Sequence, residues 1–184
     1  EEFLLYYQPL VDAKKNQIIG LEALIRWEHP IEGMICPGKF IPLAENTGMI
    51  VELGAWVLRE ACSQLKKWHG EGYNDLFVSV NIAPQQLQQP SFVQQIEEIL
   101  IDTDLPPESL KLEIVERTVI NNKEYTINKL KELKELGIKI AVDDFGTGYC
   151  SLEYLNEFAI DILKIDRAFI QCKKNKAIVK TIIT

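Results

Sequence analysis

Strand-like segments alternate with helical ones along this chain, and five of the strands run into a polar or charged side chain. The clearest is 140–148, Ile-Ala-Val-Asp-Asp-Phe-Gly-Thr-Gly, an apolar run driven into two adjacent carboxylates and then a glycine-flanked loop. A strand ending in Asp143 and Asp144 presents hard oxygen donors at the mouth of a sheet, where a divalent cation can sit. Gly146 and Gly148 let the loop bend close to a ligand. Asp and Gly are also ordinary turn formers after a strand, so this run alone favours a metal site only slightly. Its repetition on the other strands carries the weight.

Residues 3–9 and 18–27 read as strands, 38–46 as a short helix and 50–69 as a long amphipathic helix with Val57, Leu58, Ala61, Leu65 and Trp68 on one stripe. A strand at 76–81 precedes a helix that Ser91 caps and that runs to about residue 101, carrying Phe92, Ile96 and Ile99. The order continues with a strand at 110–116, a helix from 122 or 123 to 136 stopped by Gly137, and a strand at 138–143. A short helix at 151–157, a strand at 161–166 and a helix opening at 175 complete it. This alternation predicts a parallel α/β sheet.

Residues two apart share a strand face. Glu22, Leu24 and Arg26 share one face, opposite Leu21, Ala23, Ile25 and Trp27; Asn81 ends the face of Phe77 and Ser79. Glu113 lies with Lys111 and Val115, opposite Leu110, Leu112 and Ile114; Asp143 follows Lys139 and Ala141, and Lys164 shares a face with Asp166. A parallel barrel accommodates this, one face packing on outer helices and the other pointing inward, with functional groups collecting at the carboxyl ends of the strands. Buried charges on successive strands are costly unless they meet one another or a metal. A salt bridge such as Lys164 with Asp143 accounts for one pair. It does not account for Glu22, Asn81, Glu113, Asp143, Asp144 and Asp166 together, because acids outnumber cations. Oxygen donors without His or Cys select Mg2+ or Mn2+ over zinc.

The chain has 184 residues, 47% of them hydrophobic and 26% charged, enough for one globular domain with a real core. A net charge of −7, with no basic cluster beyond Lys173, Lys174 and Lys176, excludes polymeric nucleic acid as the expected partner. A small phosphorylated ligand remains compatible, since bound cations offset local negative charge. Cys36, Cys62, Cys150 and Cys172 have neither zinc nor disulfide spacing, which predicts reduced cytosolic thiols. His29 and His69 are isolated; His69 reads as a C-terminal helix charge. No membrane span or signal peptide is visible, and the opening at Glu1 predicts a fragment or trimmed protein.

The segments Glu22-Ala-Leu-Ile-Arg26-Trp27, Ser79-Val-Asn81, Glu113-Ile-Val-Glu116, Asp143-Asp144-Phe-Gly-Thr-Gly148 and Leu163-Lys164-Ile165-Asp166 resemble the ordered motif series of the EAL domain family, bacterial phosphodiesterases that hydrolyse cyclic di-GMP to linear pGpG. The resemblance runs from Tyr6 to the last residue. It implies a single EAL domain over 1–184, an α/β TIM-type (β/α) barrel whose C-terminal strands are missing from this chain. It also implies roles. Glu22, Asn81, Glu113 and Asp143 match metal ligands, Asp144 a second-metal ligand and Asp166 a nearby ligand or water-holding group. Lys164 matches the lysine that orients the attacking water, with Glu22 and Asp143 beside it as catalytic groups. Gln8 and Arg26 match ligand contacts, and Glu116 the anchor of the loop after Asp144.

Plainer readings stand beside these: Arg26 paired with Glu22 or Glu28, Gln8 satisfying backbone, Glu116 a strand-end surface acid. Phe40, Ile41 and Pro42 resemble a substrate-side helix and equally suit the core. Val115 and Cys150 replace the family's usual Thr and Ser. The family's remaining strands carry a further metal-binding glutamate, so this form alone is expected to be weakly active. The resemblance further implies a two-metal site with Mg2+ or Mn2+, inhibition by Ca2+, a homodimer, fusion to an upstream sensor or GGDEF-type domain, and a cytoplasmic setting, as a free protein or as the cytoplasmic portion of a membrane-anchored one. A non-catalytic cyclic di-GMP receptor is the competing class; an unrelated Mg2+-dependent barrel such as an enolate-forming lyase is a third.

Overall fold

The sheet begins with a hairpin rather than a crossover. In the computed structural model, which describes residues 2–115, 123–145 and 160–171, β1 (Phe3–Asp12) pairs antiparallel with β2 (Gln17–His29). The expected parallel sheet thus opens with one antiparallel pair. Residues 13–16 are far too few for a parallel crossover, which needs about a dozen. They form a tight turn instead: Asp12 Oδ1 accepts the Lys14 and Lys15 N–H groups at 2.8 and 3.1 Å, and Asn16 takes a left-handed φ of 51°.

From β2 onward the expected alternation holds. A short β3 (Gly33–Ile35) folds back on the end of β2. Then come α1 (Pro37–Thr47), α2 (Ile50–Gly70), β4 (Phe77–Ile82), a one-turn α3 (Pro84–Leu87), α4 (Phe92–Thr103) and β5 (Leu110–Val115). After these follow α5 (Lys123–Glu135), β6 (Lys139–Phe145), β7 (Ile162–Ile165) and a short helix Arg167–Gln171. The strand order is β1-β2-β4-β5-β6-β7 with β3 beside β2, and β2, β4, β5, β6 and β7 pair in parallel. Among the described residues the sheet is open, with β1 and β7 at its two ends. The expected helices at 151–157 and from 175 lie outside the described residues.

The apolar strand faces pack on the helices as the periodicity predicts. Val78 and Val80 of β4, Leu110, Leu112 and Ile114 of β5 and Ile140 and Val142 of β6 are buried in one cluster with Leu58, Ala61 and Leu65 of α2, Ile96 and Ile99 of α4 and Leu130 and Leu133 of α5. Trp68 closes the α2 stripe by meeting the Tyr7 ring edge-on at 4.8 Å. Cys62 also lies on that stripe, and burial pushes its thiol up to about 12. Gly137 terminates α5 as expected, with φ +97° and the Ile138 N–H returning to Leu133 O. Ser91 departs from expectation. It sits at the N-cap of α4, but its φ/ψ of −85°/5° is not the extended geometry that aims a side chain at the first turn, and it makes no capping bond.

Gly20 is demanded by packing. A Cβ on Gly20 would lie 2.4–2.6 Å from three atoms of the Phe77 ring, whose face also carries the Lys111 ammonium, 3.0 Å from the ring centroid. Gly20→Ala should therefore destabilise the protein by about 1–3 kcal/mol, as overpacking does. Urea denaturation checks this, and an unchanged midpoint would refute the crowding.

Candidate active site

The polar strand ends meet on the sheet face away from α2, α4 and α5. Lys164 of β7 is the hub: its Nζ contacts Glu22 Oε2 of β2 at 3.0 Å, Glu113 Oε2 of β5, and Asp143 Oδ1 of β6 at 3.5 Å. Asn81 of β4 donates its Nδ2 to the other Glu22 oxygen at 2.9 Å. Four parallel strands and one lysine thus converge on a single spot, because Glu22, Asn81, Glu113, Asp143 and Lys164 all fall on the inward side of the pleat.

Burial sets the electrostatics. The Glu113 side chain is 1% exposed, against 15% for Glu22, 24% for Asp143 and 26% for Lys164. Burial raises the Glu113 carboxyl above the usual glutamate range and the Glu22 charge adds to this, while Lys164 and a hydrogen bond from Ser79 oppose it. Burial by itself would lower the Lys164 ammonium, but hydrogen bonds and charge from Glu113 and Glu22 hold it well above the ordinary lysine range. Lys164 is therefore protonated at neutral pH.

A β-bulge doubles the acids opposite this lysine. Val142 pairs with Leu163 and Phe145 with Ile165, so Asp143 and Asp144 together face Lys164 alone. Asp144 adopts a left-handed φ of 55°, a conformation that Asp tolerates better than most residues, and it is exposed. Its carboxyl is raised by partial burial and then by the Asp143 and Asp166 charges, which places the three aspartates within one electrostatic neighbourhood.

The remaining expected residues fall as follows. Gln8 stands directly opposite Glu22 across the hairpin, so the two side chains share a face. Arg26 bonds the Ile25 carbonyl at 2.8 Å and lies 5.4 Å over the Tyr6 ring, which replaces the simple pairing with Glu22 or Glu28 by an aromatic shelf. Asp166 follows β7, its N–H reaching Phe145 O at 3.4 Å. Glu116, Gly146, Gly148 and Cys150 lie outside the described residues. Ser79 and Tyr6 were given no roles from the sequence. Ser79 was within reach, two positions before Asn81 on the same face, whereas Tyr6 depended on an unread cross-strand register.

The donor set fits a hard divalent cation in kind. It offers carboxylate and amide oxygens, and three carboxylates around one ammonium leave negative charge in surplus. Among the described residues no three His, Cys, Asp or Glu side chains form a cluster of metal-holding geometry, and Lys164 contacts all three carboxylates.

An open, mostly parallel sheet with acids, an asparagine and a lysine at its carboxyl rim is the arrangement of a barrel-type domain. The chain belongs to the EAL domain family, whose model matches residues 1–184. It is 43% identical to the Synechocystis sp. protein sll1895 over 100% of this chain and 27% of that protein. It is 44% identical to the bifunctional diguanylate cyclase/cyclic di-GMP phosphodiesterase MucR of Pseudomonas aeruginosa over 92% of this chain and 25% of MucR. The chain thus spans about a quarter of the length of these relatives. The solved PaMucR phosphodiesterase in complex with c-di-GMP superimposes with a TM-score of 0.93 at 42% identity, covering 99% of this chain and 75% of that one.

Proposed function

We propose that this domain hydrolyses cyclic di-GMP to linear pGpG with Mg2+ or Mn2+ at the strand ends. The observation that carries the reading is the convergence of Glu22, Glu113 and Asp143 on one ammonium, with Asn81 bonded to Glu22. The fold match to a phosphodiesterase in complex with c-di-GMP supports it. Glu22, Asn81, Glu113 and Asp143 would hold one cation, Asp144 would serve a second, and Asp166 would be a nearby ligand or hold a water. When bound, such cations supply Lewis acidity toward phosphoryl oxygens and an acidified water.

The protein's own groups position and move protons. Arg26, steadied by Tyr6, clamps phosphate oxygens, and Gln8 contacts the ligand beside Glu22. Lys164 stays protonated, so it cannot take a proton from the attacking water; it orients that water by donating to its oxygen. A neighbouring carboxylate, Asp143 or Glu22, accepts the proton. Glu116 is assigned to holding the loop after Asp144. The domain is further taken to work as a homodimer fused to an upstream sensor or GGDEF-type domain, in keeping with the two activities in MucR's name and the quarter of MucR this chain spans. The setting is taken to be cytoplasmic, as a free protein or as the cytoplasmic portion of a membrane-anchored one.

Full-length protein incubated with cyclic di-GMP should yield pGpG in Mg2+ or Mn2+ and stop in excess chelator. Ca2+ should inhibit, because its larger and looser shell positions water poorly. Chromatography of the nucleotide products reads all three. Cyclic di-GMP bound but unhydrolysed in either metal would replace this reading with that of a receptor.

A further inference from the structure

Gln86 of α3 is an amide that is only 2% exposed. Its Oε1 accepts the Ala83 N–H at 3.1 Å, and its own N–H donates to Ala83 O at 3.0 Å, so one residue closes the turn after β4 with both side chain and main chain. Among the described residues its Nε2 has no hydrogen-bond partner. A buried, unsatisfied donor is a cost that natural sequences avoid unless the rest of the group is needed. The amide is also pressed against α2: a Cβ on Gly54 would lie 2.0–2.4 Å from Nε2, Cδ and Oε1. Gln86, Gly54, Ala83 and Asn81 all line one cavity of about 250 Å3 at the carboxyl rim of β2 and β4. A leucine here would fill space but leave the Ala83 N–H without its acceptor.

We propose that Gln86 is a positioning residue for Asn81: wedged between Gly54 and the Ala83 N–H, it fixes the turn at the end of β4 and so the aim of the Asn81 side chain toward Glu22. This rests on the reading of Asn81 as a metal ligand. Groups that orient ligands without touching the metal are worth about 10- to 100-fold in metal affinity. Ala83 follows Asn81 by two residues, so a loosened turn is felt at the Asn81 amide first.

The test is calorimetric titration of Mn2+ into the full-length protein and its Gln86→Met, Asn81→Ala and doubly substituted variants, with thermal melts to confirm folding. Gln86→Met should weaken Mn2+ binding about tenfold and add nothing once Asn81 is already alanine. Should the methionine variant not fold, Gln86→Asn replaces it, keeping the amide but one methylene too short to reach Ala83. Wild-type Mn2+ affinity in Gln86→Met, with Asn81→Ala impaired, overturns the positioning role alone. A further loss in the double variant also overturns it, since Gln86 would then act by another route. No effect of Asn81→Ala overturns the ligand reading and this inference together.

Discussion

Lys164→Met should destabilise the metal-free protein by about 3–5 kcal/mol, the usual cost of stripping one partner from a buried ion pair. The cost arises at Glu113, whose side chain is 1% exposed and whose charged form Lys164 and Ser79 favour against burial. Urea denaturation in chelator reads the loss, and Mg2+ should restore part of it in the variant by standing in for the ammonium. The pH dependence has a definite sign. The Lys164 pKa is raised in the folded state, so its contribution is complete below the ordinary lysine value of 10.5 and fades only in strong alkali. The Glu113 pKa is also raised, so as pH falls this carboxyl takes a proton before an ordinary glutamate does. Its charge then needs no partner, and the gap between Lys164→Met and wild type should close on the acid side. A gap that stays constant or widens in acid would show that the pair is not the source of the stability.

Glu22→Ala should reduce cyclic di-GMP turnover by at least about a thousandfold, the equivalent of the several kcal/mol that a lost metal site removes from transition-state stabilisation. The fold should survive. Lys164 keeps Glu113 and Asp143 as partners, and Asn81 is exposed and can turn to water. The change in unfolding free energy should stay within about 1–2 kcal/mol, as for most single substitutions away from the core. Near wild-type turnover in a folded Glu22→Ala protein would remove Glu22 from the reaction.

The acid cluster was legible because a period of two is strict. Glu113 is forced to the face opposite Leu112 and Ile114, and the same rule aligns Glu22, Asn81, Asp143 and Lys164. The helices were legible from a different period, since the 3.6-residue stripe on α2 and the stop at Gly137 are local signals. What could not be read depends on pairing. The hairpin of β1 and β2 was the exception, readable but missed, because even residues 10–17 between the expected strands are too few for a crossover. Tyr6 supports Arg26 only through a cross-strand register. Gln86 sits in a glutamine-rich stretch, 85–89, that reads like a solvated loop around Leu87, and its burial comes from α2 arriving with a glycine at the point of contact.

The step in β6 gives the local regularity of the sheet and the density of acids opposite Lys164 opposite requirements. Deleting one residue between Val142 and Phe145 would restore one-to-one pairing with β7 and leave Phe145 on its buried side, producing the smoother sheet. It would also leave a single aspartate facing the lysine. A family of sequences selected only to fold would be free to lose that extra residue, whereas one that must gather charge at this rim would retain the kink. The irregularity is thus where folding and chemistry place different demands on the same backbone.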